Sequence, residues 1–147
     1  MNTAAKLAEF VAAQEGIYEQ VLRELSAGKK RSHWIWFIFP QLAGLGFSSM
    51  SQKFGIASPA EARSYLDHDV LGPRLRECTR KMLALSARDI GSILGHPDDL
   101  KFRSSLTLFA AAAPDEPLFA EALQTFYGGQ RDPLTIELLE RSHEERQ

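Results

Sequence analysis

Cationic and hydroxyl side chains interrupt an otherwise apolar segment near the middle of the second half of the chain. Lys101, Arg103, Ser104 and Ser105 stand there among leucines and phenylalanines. Charged groups in an apolar helix need partners, and lysine or arginine can supply one by binding a phosphate or a carboxylate. If the helix faces the aromatic residues 33–40, the segment predicts an anion site. If the helix faces water, the segment predicts a polar surface only.

Residues 33–40, with the sequence HWIWFIFP, concentrate aromatic area in one short element. Most of these rings are expected in the core, with one ring at a pocket rim, where tryptophan stacks against a planar or cationic group. His33 has a side chain suited to acid–base work near neutrality, although it could equally donate a hydrogen bond inside the core. The predicted ligand-binding residues are Lys101, Arg103, His33, Trp34 and Gln41.

Adjacent carboxylates at Asp98 and Asp99 are, with His33, the candidate catalytic residues. Paired carboxylates can act as acid and base or hold a metal ion. The structural interpretation is favoured, because Asp98 suits a helix cap and Asp99 precedes Arg103 by the spacing of a helical ion pair. Metal-ligand spacings, glycine-rich phosphate loops and Cys-x-x-Cys pairs do not occur, so neither a metal nor a cofactor is predicted.

Charge and cysteine content limit the partners. Lys29, Lys30 and Arg31 beside Trp34 resemble a single-strand nucleic-acid patch, but the net charge is −2 and such cations usually form a solvated helix end. Nucleic acid is not expected as a partner. The lone Cys78 and the absence of an apolar leader or spanning segment predict a cytoplasmic protein that does not insert into a membrane.

Apolar spacing and capping residues predict helices throughout. An apolar stripe runs from Leu7 to Leu25 and is split near Gly16, and the aromatic run is interpreted as a short buried helix. Further helix starts are predicted at Ser58 and Asp69, at the segment 86–89, and at Asp98, Asp115 and Asp132. The predicted fold is all-α, a compact single-domain bundle of short helices over residues 1–147, with a fraying tail at 140–147.

Four segments carry a family resemblance, namely residues 29–45 (KKRSHWIWFIFPQLAGL), 54–58 (FGIAS), 70–75 (VLGPRL) and 97–101 (PDDLK). Together they resemble the bacterial domain-of-unknown-function family eighteen-ten, whose members sometimes carry the label calpastatin. The resemblance implies a small all-helical fold of its own type and implies no reaction. The family usually has proline where this chain has Asp69.

A shorter likeness concerns residues 51–54 and 58–63, which are similar to segments of the NADAR family. That family acts on ADP-ribose-type glycosides, so the likeness implies a hydrolase of such a glycoside. The adjacent carboxylates Asp98 and Asp99 supply the predicted acid–base group of this alternative. The leading hypothesis is instead a module that binds a small anionic ligand. A third hypothesis, a structural or partner-binding protein, predicts an exposed apolar patch and no polar-lined cavity.

Overall fold

Ten helices make up the part of the chain that the computed structural model describes, residues 2–145. Their bounds are α1 (Thr3–Gln14), α2 (Tyr18–Ala27), α3 (Ile35–Ile38), α4 (Ser49–Lys53), α5 (Pro59–Asp67), α6 (Leu71–Leu83), α7 (Ile90–Leu94), α8 (Asp98–Ala112), α9 (Pro117–Tyr127) and α10 (Pro133–Glu145). The all-α prediction for a compact single helical domain is confirmed. The described helices include none that is both long enough and apolar enough to cross a membrane.

Helix α8 lies at the centre of the packing. It contacts α9, α5, α7, α10 and α3, and residues 104–110 are all buried. A helix that is enclosed by other elements on every side is apolar around its whole circumference, and α8 follows this pattern over its buried residues. Phe102 and Phe109 link it to the rest of the aromatic core, with the Phe39 and Phe102 ring centroids 4.5 Å apart.

Several helix ends follow the predicted chemistry. Ser58 Oγ accepts from the Glu61 N–H at 3.1 Å, and Glu61 Oε1 accepts from the Ala57 N–H at 2.9 Å, so this capping box closes the start of α5. The α1–α2 break falls at Gly16 as expected, and Gly28 closes α2 with a left-handed φ of 81°. The aromatic run forms α3, the short buried helix that the sequence predicts.

Three predicted caps are wrong. Asp69 does not cap α6, because His68 Nδ1 accepts from the N–H groups at the start of that helix instead. Asp89, not Ser86, caps α7, through a bond from the Gly91 N–H. Asp98 is the first residue of α8 and uses its carboxylate for ion pairs.

The tail predicted to fray from residue 140 has a helical backbone as far as Glu145, where α10 ends. Arg146 and Gln147 lie outside the described residues.

Candidate functional site

The segment after α3 is held in place by backbone pairing. The Ile56 N–H donates to Gln41 O at 2.8 Å, and the Ala43 N–H donates to Ile56 O at 2.7 Å. Gly55 permits this approach, because a Cβ there would lie 2.8 Å from Ala43 Cα. The pairing fixes Gln41 directly after the aromatic run and places it opposite α8.

A cleft lies between residues 41–55 on one side and the starts of α8 and α10 on the other. Its inner part is small, about 10 Å³, and is lined by Trp36, Phe54 and Met50. Its outer part has a volume of about 210 Å³ and is lined by Lys101, Ser104 and Asp132 on the α8–α10 side. Both parts share the lining residues Gln41, Leu45, Gly46 and Ser51, so they adjoin each other.

Trp36 and Lys101 define the polar chemistry of this cleft. Lys101 Nζ lies 4.9 Å from the centroid of the Trp36 ring, within the range of a cation–π interaction. Trp36 Nε1 is buried and has no hydrogen-bond partner among the described side chains and backbone groups. A buried N–H without a partner is costly, and a ligand that accepted from it would remove that cost.

The positive charge of Lys101 is only partly offset by its nearest carboxylate. Its Nζ is 3.7 Å from Asp98 Oδ1, but Asp98 is held more closely by Lys30, whose Nζ is 2.7 Å from Asp98 Oδ2. One carboxylate is thus shared by two ammonium groups. Lys101 and Asp132 are the charged residues among those that line the cleft, and Lys101 is the one that would attract a negatively charged group.

Asp132 lines the cleft, but structural contacts occupy most of its carboxylate. Its Oδ2 accepts from the Thr135 N–H at 3.1 Å and from the Thr135 hydroxyl, and its Oδ1 is 3.6 Å from an Arg103 Nη2. Arg103 itself is not among the residues that line the cleft, and its buried Nε has no partner in the part of the chain that the structure describes. The predicted ion pair of Arg103 with Asp99 is replaced by this contact with Asp132.

Trp34 belongs to a different, closed cluster. Its Nε1 donates to Glu24 at 3.0 Å, and the same carboxylate accepts from Gln20 Nε2, the Arg31 N–H, the Ser32 N–H and the Ser32 hydroxyl at 2.6 to 2.9 Å. Burial alone would raise the pKa of Glu24, but the hydrogen bonds outweigh burial and lower that pKa to about 2. The carboxylate is therefore charged and fully bonded.

The basic segment 29–31 is less accessible than a solvated cap would be. The Lys30 side chain is only 7% exposed, because it pairs with Asp98 and lies 5.2 Å from the Trp34 ring centroid. Lys29 and Arg31 remain exposed. Interpreting the whole segment as a solvated helix end is thus wrong for Lys30, which joins the start of α8 to the end of α2.

The structure brings together only part of the predicted site. Lys101 and Gln41 line the cleft, whereas Trp34 is buried against Glu24 and His33 is exposed outside the set of lining residues. His33 does not lie in the core either. Among the other catalytic candidates, Asp98 is ion-paired, and Asp99 Oδ1 lies 3.0 Å from His96 Nδ1. Neither aspartate lines the cleft.

The predicted set of ligand-binding residues leaves out Trp36, Ser51 and Ser104, which all line the cleft, although Ser104 belongs to the polar group that the sequence analysis singled out in α8. The spacing held a usable signal for two of them. Side chains two residues apart on a helix point to nearly opposite sides, so Trp34 and Trp36 are expected to face different surroundings. Ser104 lies three residues after Lys101, so the two share a helical face. Ser51 comes from α4, and the sequence offered no signal that this helix approaches α8.

A second depression, of about 370 Å³, lies beside Gln14, Tyr18 and Arg74. Its polar groups are already paired: Gln14 Nε2 donates to Phe37 O at 2.7 Å, and Arg74 Nη1 donates to Gln14 Oε1 at 3.2 Å. Nearby, burial raises the pKa of the Cys78 thiol to about 12, so that thiol stays protonated at neutral pH. This region is accounted for by internal bonding.

Comparison with known proteins gives the family. Residues 4–139 match the model of the family described as protein of unknown function, DUF1810. The chain belongs to the DUF1810 family. The conserved hypothetical protein Rv1873 from Mycobacterium tuberculosis, whose crystal structure is known, is 50% identical in sequence to this chain. The two structures superpose with a TM-score of 0.89, and the match covers 90% of this chain and 95% of that one. No curated protein matches the chain.

The DUF1810 match spans every residue that lines the cleft, from Trp36 to Leu134. The family description and the related structure give a fold and no activity, so any function must be argued from the cleft itself. Among the described residues of this DUF1810 protein, no group of three or more histidine, cysteine or acidic side chains could hold a metal ion.

Proposed function

We propose that the cleft binds a small molecule that carries a negatively charged group, and that Lys101 holds this group. The observation that carries the proposal is the position of Lys101 over the Trp36 ring, beside a cleft in which Gln41, Ser51 and Ser104 supply further polar groups. Binding sites are typically concave and apolar with a few converging polar groups. Here Leu45 and Met50 supply apolar surface, and Gln41 supplies an amide.

A bound anion would interact with two groups of the cleft, Lys101 and Ser51. Its charge would offset that of Lys101, which shares Asp98 with Lys30. The Ser51 hydroxyl, where the inner and outer parts of the cleft adjoin, would supply a hydrogen-bond donor to an oxygen of the ligand.

The structural or partner-binding alternative predicts an exposed apolar patch and no polar-lined cavity. Leu100 and Leu134 are exposed, as that alternative predicts, but Lys101, Gln41 and Ser51 in the cleft favour ligand binding over it.

The hydrolase alternative receives no support from the carboxylates it named. Asp98 is committed to Lys30 and Lys101, and Asp99 pairs with His96 while its carbonyl accepts from the Tyr127 hydroxyl. A general acid must reach the bond that it protonates, and neither group faces the cleft. We therefore propose binding and not glycoside hydrolysis.

We also propose that this protein is cytoplasmic and of bacterial origin. The single cysteine is a free, buried thiol, as expected for a protein of a reducing compartment. The origin is inferred from the family resemblance.

Titration with inorganic phosphate at constant ionic strength, followed by intrinsic tryptophan fluorescence, tests this function. Lys101→Met should weaken phosphate binding at least about 10-fold, because a charge-assisted bond to a bound anion is lost. Lys53→Met is the matched control, since Lys53 Nζ lies 5.3 Å from the Phe54 ring centroid but does not line the cleft. Equal losses in both variants, or no response to phosphate and to acetate in the wild-type protein, would contradict the proposal.

A further inference from the structure

The two charged residues that line the outer part of the cleft have opposite charges. They are Lys101 in α8 and Asp132 directly before α10. Their side chains are 25% and 14% exposed, so each keeps some access to solvent. A ligand that carried negative charge alone would be attracted by the lysine and repelled by the aspartate. The lining therefore favours a ligand that carries both signs of charge.

The ion pairs of these two residues leave hydrogen-bonding capacity unused. Lys101 Nζ lies 3.7 Å from Asp98 Oδ1, and Asp132 Oδ1 lies 3.6 Å from Arg103 Nη2. Both separations are longer than the roughly 2.7 to 3.2 Å of an N–H···O hydrogen bond. An ammonium group carries several donors, and a carboxylate oxygen has more than one acceptor site. A ligand can thus bond to both groups without displacing their present contacts.

We infer that the ligand of this cleft is a small zwitterion, which carries an ammonium group as well as an anionic group, as an amino acid does. This inference rests on the proposed function and names the class of its ligand. The anionic group binds Lys101, and the ammonium group donates to Asp132 Oδ1. Both groups lie in the outer part of the cleft, whose volume of about 210 Å³ leaves room for a small amino acid.

The remaining lining of the outer cleft suits the carbon skeleton of such a ligand. Leu100 and Leu134 line this part and are 43% and 46% exposed. Methylene groups of the ligand that cover these side chains add hydrophobic affinity. The other polar lining residues are uncharged, so the lysine and the aspartate determine which charges the cleft prefers.

Affinities for amino acids and for the matching simple acids test the inference. The pairs are glycine with acetate, β-alanine with propionate, and γ-aminobutyrate with butyrate, which differ in the spacing of the two charges. At pH 7 and constant ionic strength, wild-type protein should bind the amino acid of at least one pair about 10-fold more tightly than its partner. Asp132→Asn should reduce this advantage below about 3-fold without weakening the simple acid, because it removes the carboxylate that repels an anion.

The variants are chosen to preserve the fold. Asp132 Oδ2 accepts from the Thr135 N–H at 3.1 Å at the start of α10, and asparagine and serine can both cap a helix. Asp132→Ser is therefore a second variant that removes the charge and keeps a capping group. Asp115→Asn is the matched control, because Asp115 Oδ1 also pairs with an arginine, Arg63, at 3.3 Å but does not line the cleft. It should keep the full advantage of the amino acid.

The outcomes separate this inference from the proposed function. If the simple acids bind in a Lys101-dependent way and the amino acids gain nothing, the function stands and the zwitterion class is wrong. An advantage that survives in both Asp132 variants, or that is lost equally in Asp115→Asn, also overturns the inference. If phosphate, the simple acids and the amino acids all fail to bind, the inference and the proposed function are both wrong.

Discussion

The two tryptophans of this chain lie two residues apart and have opposite environments. Trp34 is fully buried, and its indole N–H donates to Glu24. Trp36 is partly exposed at the cleft, and its indole N–H has no partner among the described residues. The same residue type thus serves two purposes within one turn of chain: Trp34 is bonded into the core, and Trp36 lines a cavity and lies beside Lys101.

The lysines beside these rings differ in the same way. Lys30 lies over Trp34 with a carboxylate oxygen at 2.7 Å, whereas Lys101 lies over Trp36 with its nearest carboxylate oxygen at 3.7 Å. A closed and fully bonded cluster contributes to stability, and an open and under-bonded one is a candidate for binding. Substitutions in the first should therefore change stability, and substitutions in the second should change binding.

Glu24→Gln should give the largest effect. The amide removes one of the two acceptor oxygens that receive five hydrogen bonds, and it places an N–H₂ group against buried donors. We expect the free energy of unfolding to fall by about 3 kcal/mol, measured by denaturant unfolding. Glu19→Gln on the exposed face of the same helix is the control and should change little. Equal stability of Glu24→Gln and wild-type protein would remove the distinction between the two clusters.

Lowering the pH should remove the stabilisation that the ionised Glu24 carboxylate gives to the folded protein. Its pKa in the folded protein is about 2, below the ordinary value of 4.5, so the stabilisation is present above pH 4.5 and is lost as the pH falls towards 2. Between pH 6 and pH 3.5, wild-type protein should lose about 1.5 kcal/mol that Glu24→Gln does not lose. The measurement is the free energy of unfolding of both proteins across this range. Parallel pH profiles would mean that the carboxylate is not held in its charged form.

Trp36→Phe should have the smallest effect on stability, below about 1 kcal/mol, because it removes a buried donor that has no partner together with part of the ring. Trp34→Phe is the matched control and should cost at least about 2 kcal/mol, since it breaks a bond to a buried carboxylate. Thermal unfolding of the two variants makes the comparison. A reversed order would show that Trp36, and not Trp34, is the structural tryptophan.

The fold was largely predictable, because local rules produce it. Ser58, Pro59 and Glu61 act within one turn, and Gly28 ends α2 through its own backbone geometry, so these ends can be inferred without knowing the tertiary structure. The predicted cap of α6 was wrong, because His68 Nδ1, rather than an aspartate, accepts from the free N–H groups at the start of this helix. Histidine at that position is an uncommon cap.

The cleft was only partly predictable, because it depends on how distant elements face one another. Lys101 could be singled out as a cation in an apolar helix. Its real partner in the cleft was not foreseen, since choosing Trp36 over Trp34 requires knowing which side of α3 faces α8. Glu24 was missed although it lies three residues after Val21, on the apolar stripe of α2. A carboxylate in a buried stripe is a signal for an internal hydrogen-bonded cluster.

The most direct test of the cleft is an N–H correlation spectrum, because the chain has two tryptophans and should show two indole cross-peaks. Trp36→Phe assigns them. On titration with inorganic phosphate, the Trp36 indole signal should shift and saturate, because Lys101 lies over its ring. The Trp34 signal, bonded to Glu24, should stay in place, and Lys101→Met should abolish the Trp36 shift. A Trp36 signal that does not respond, or a shift of equal size at Trp34, would contradict the assignment of this cleft as the binding site.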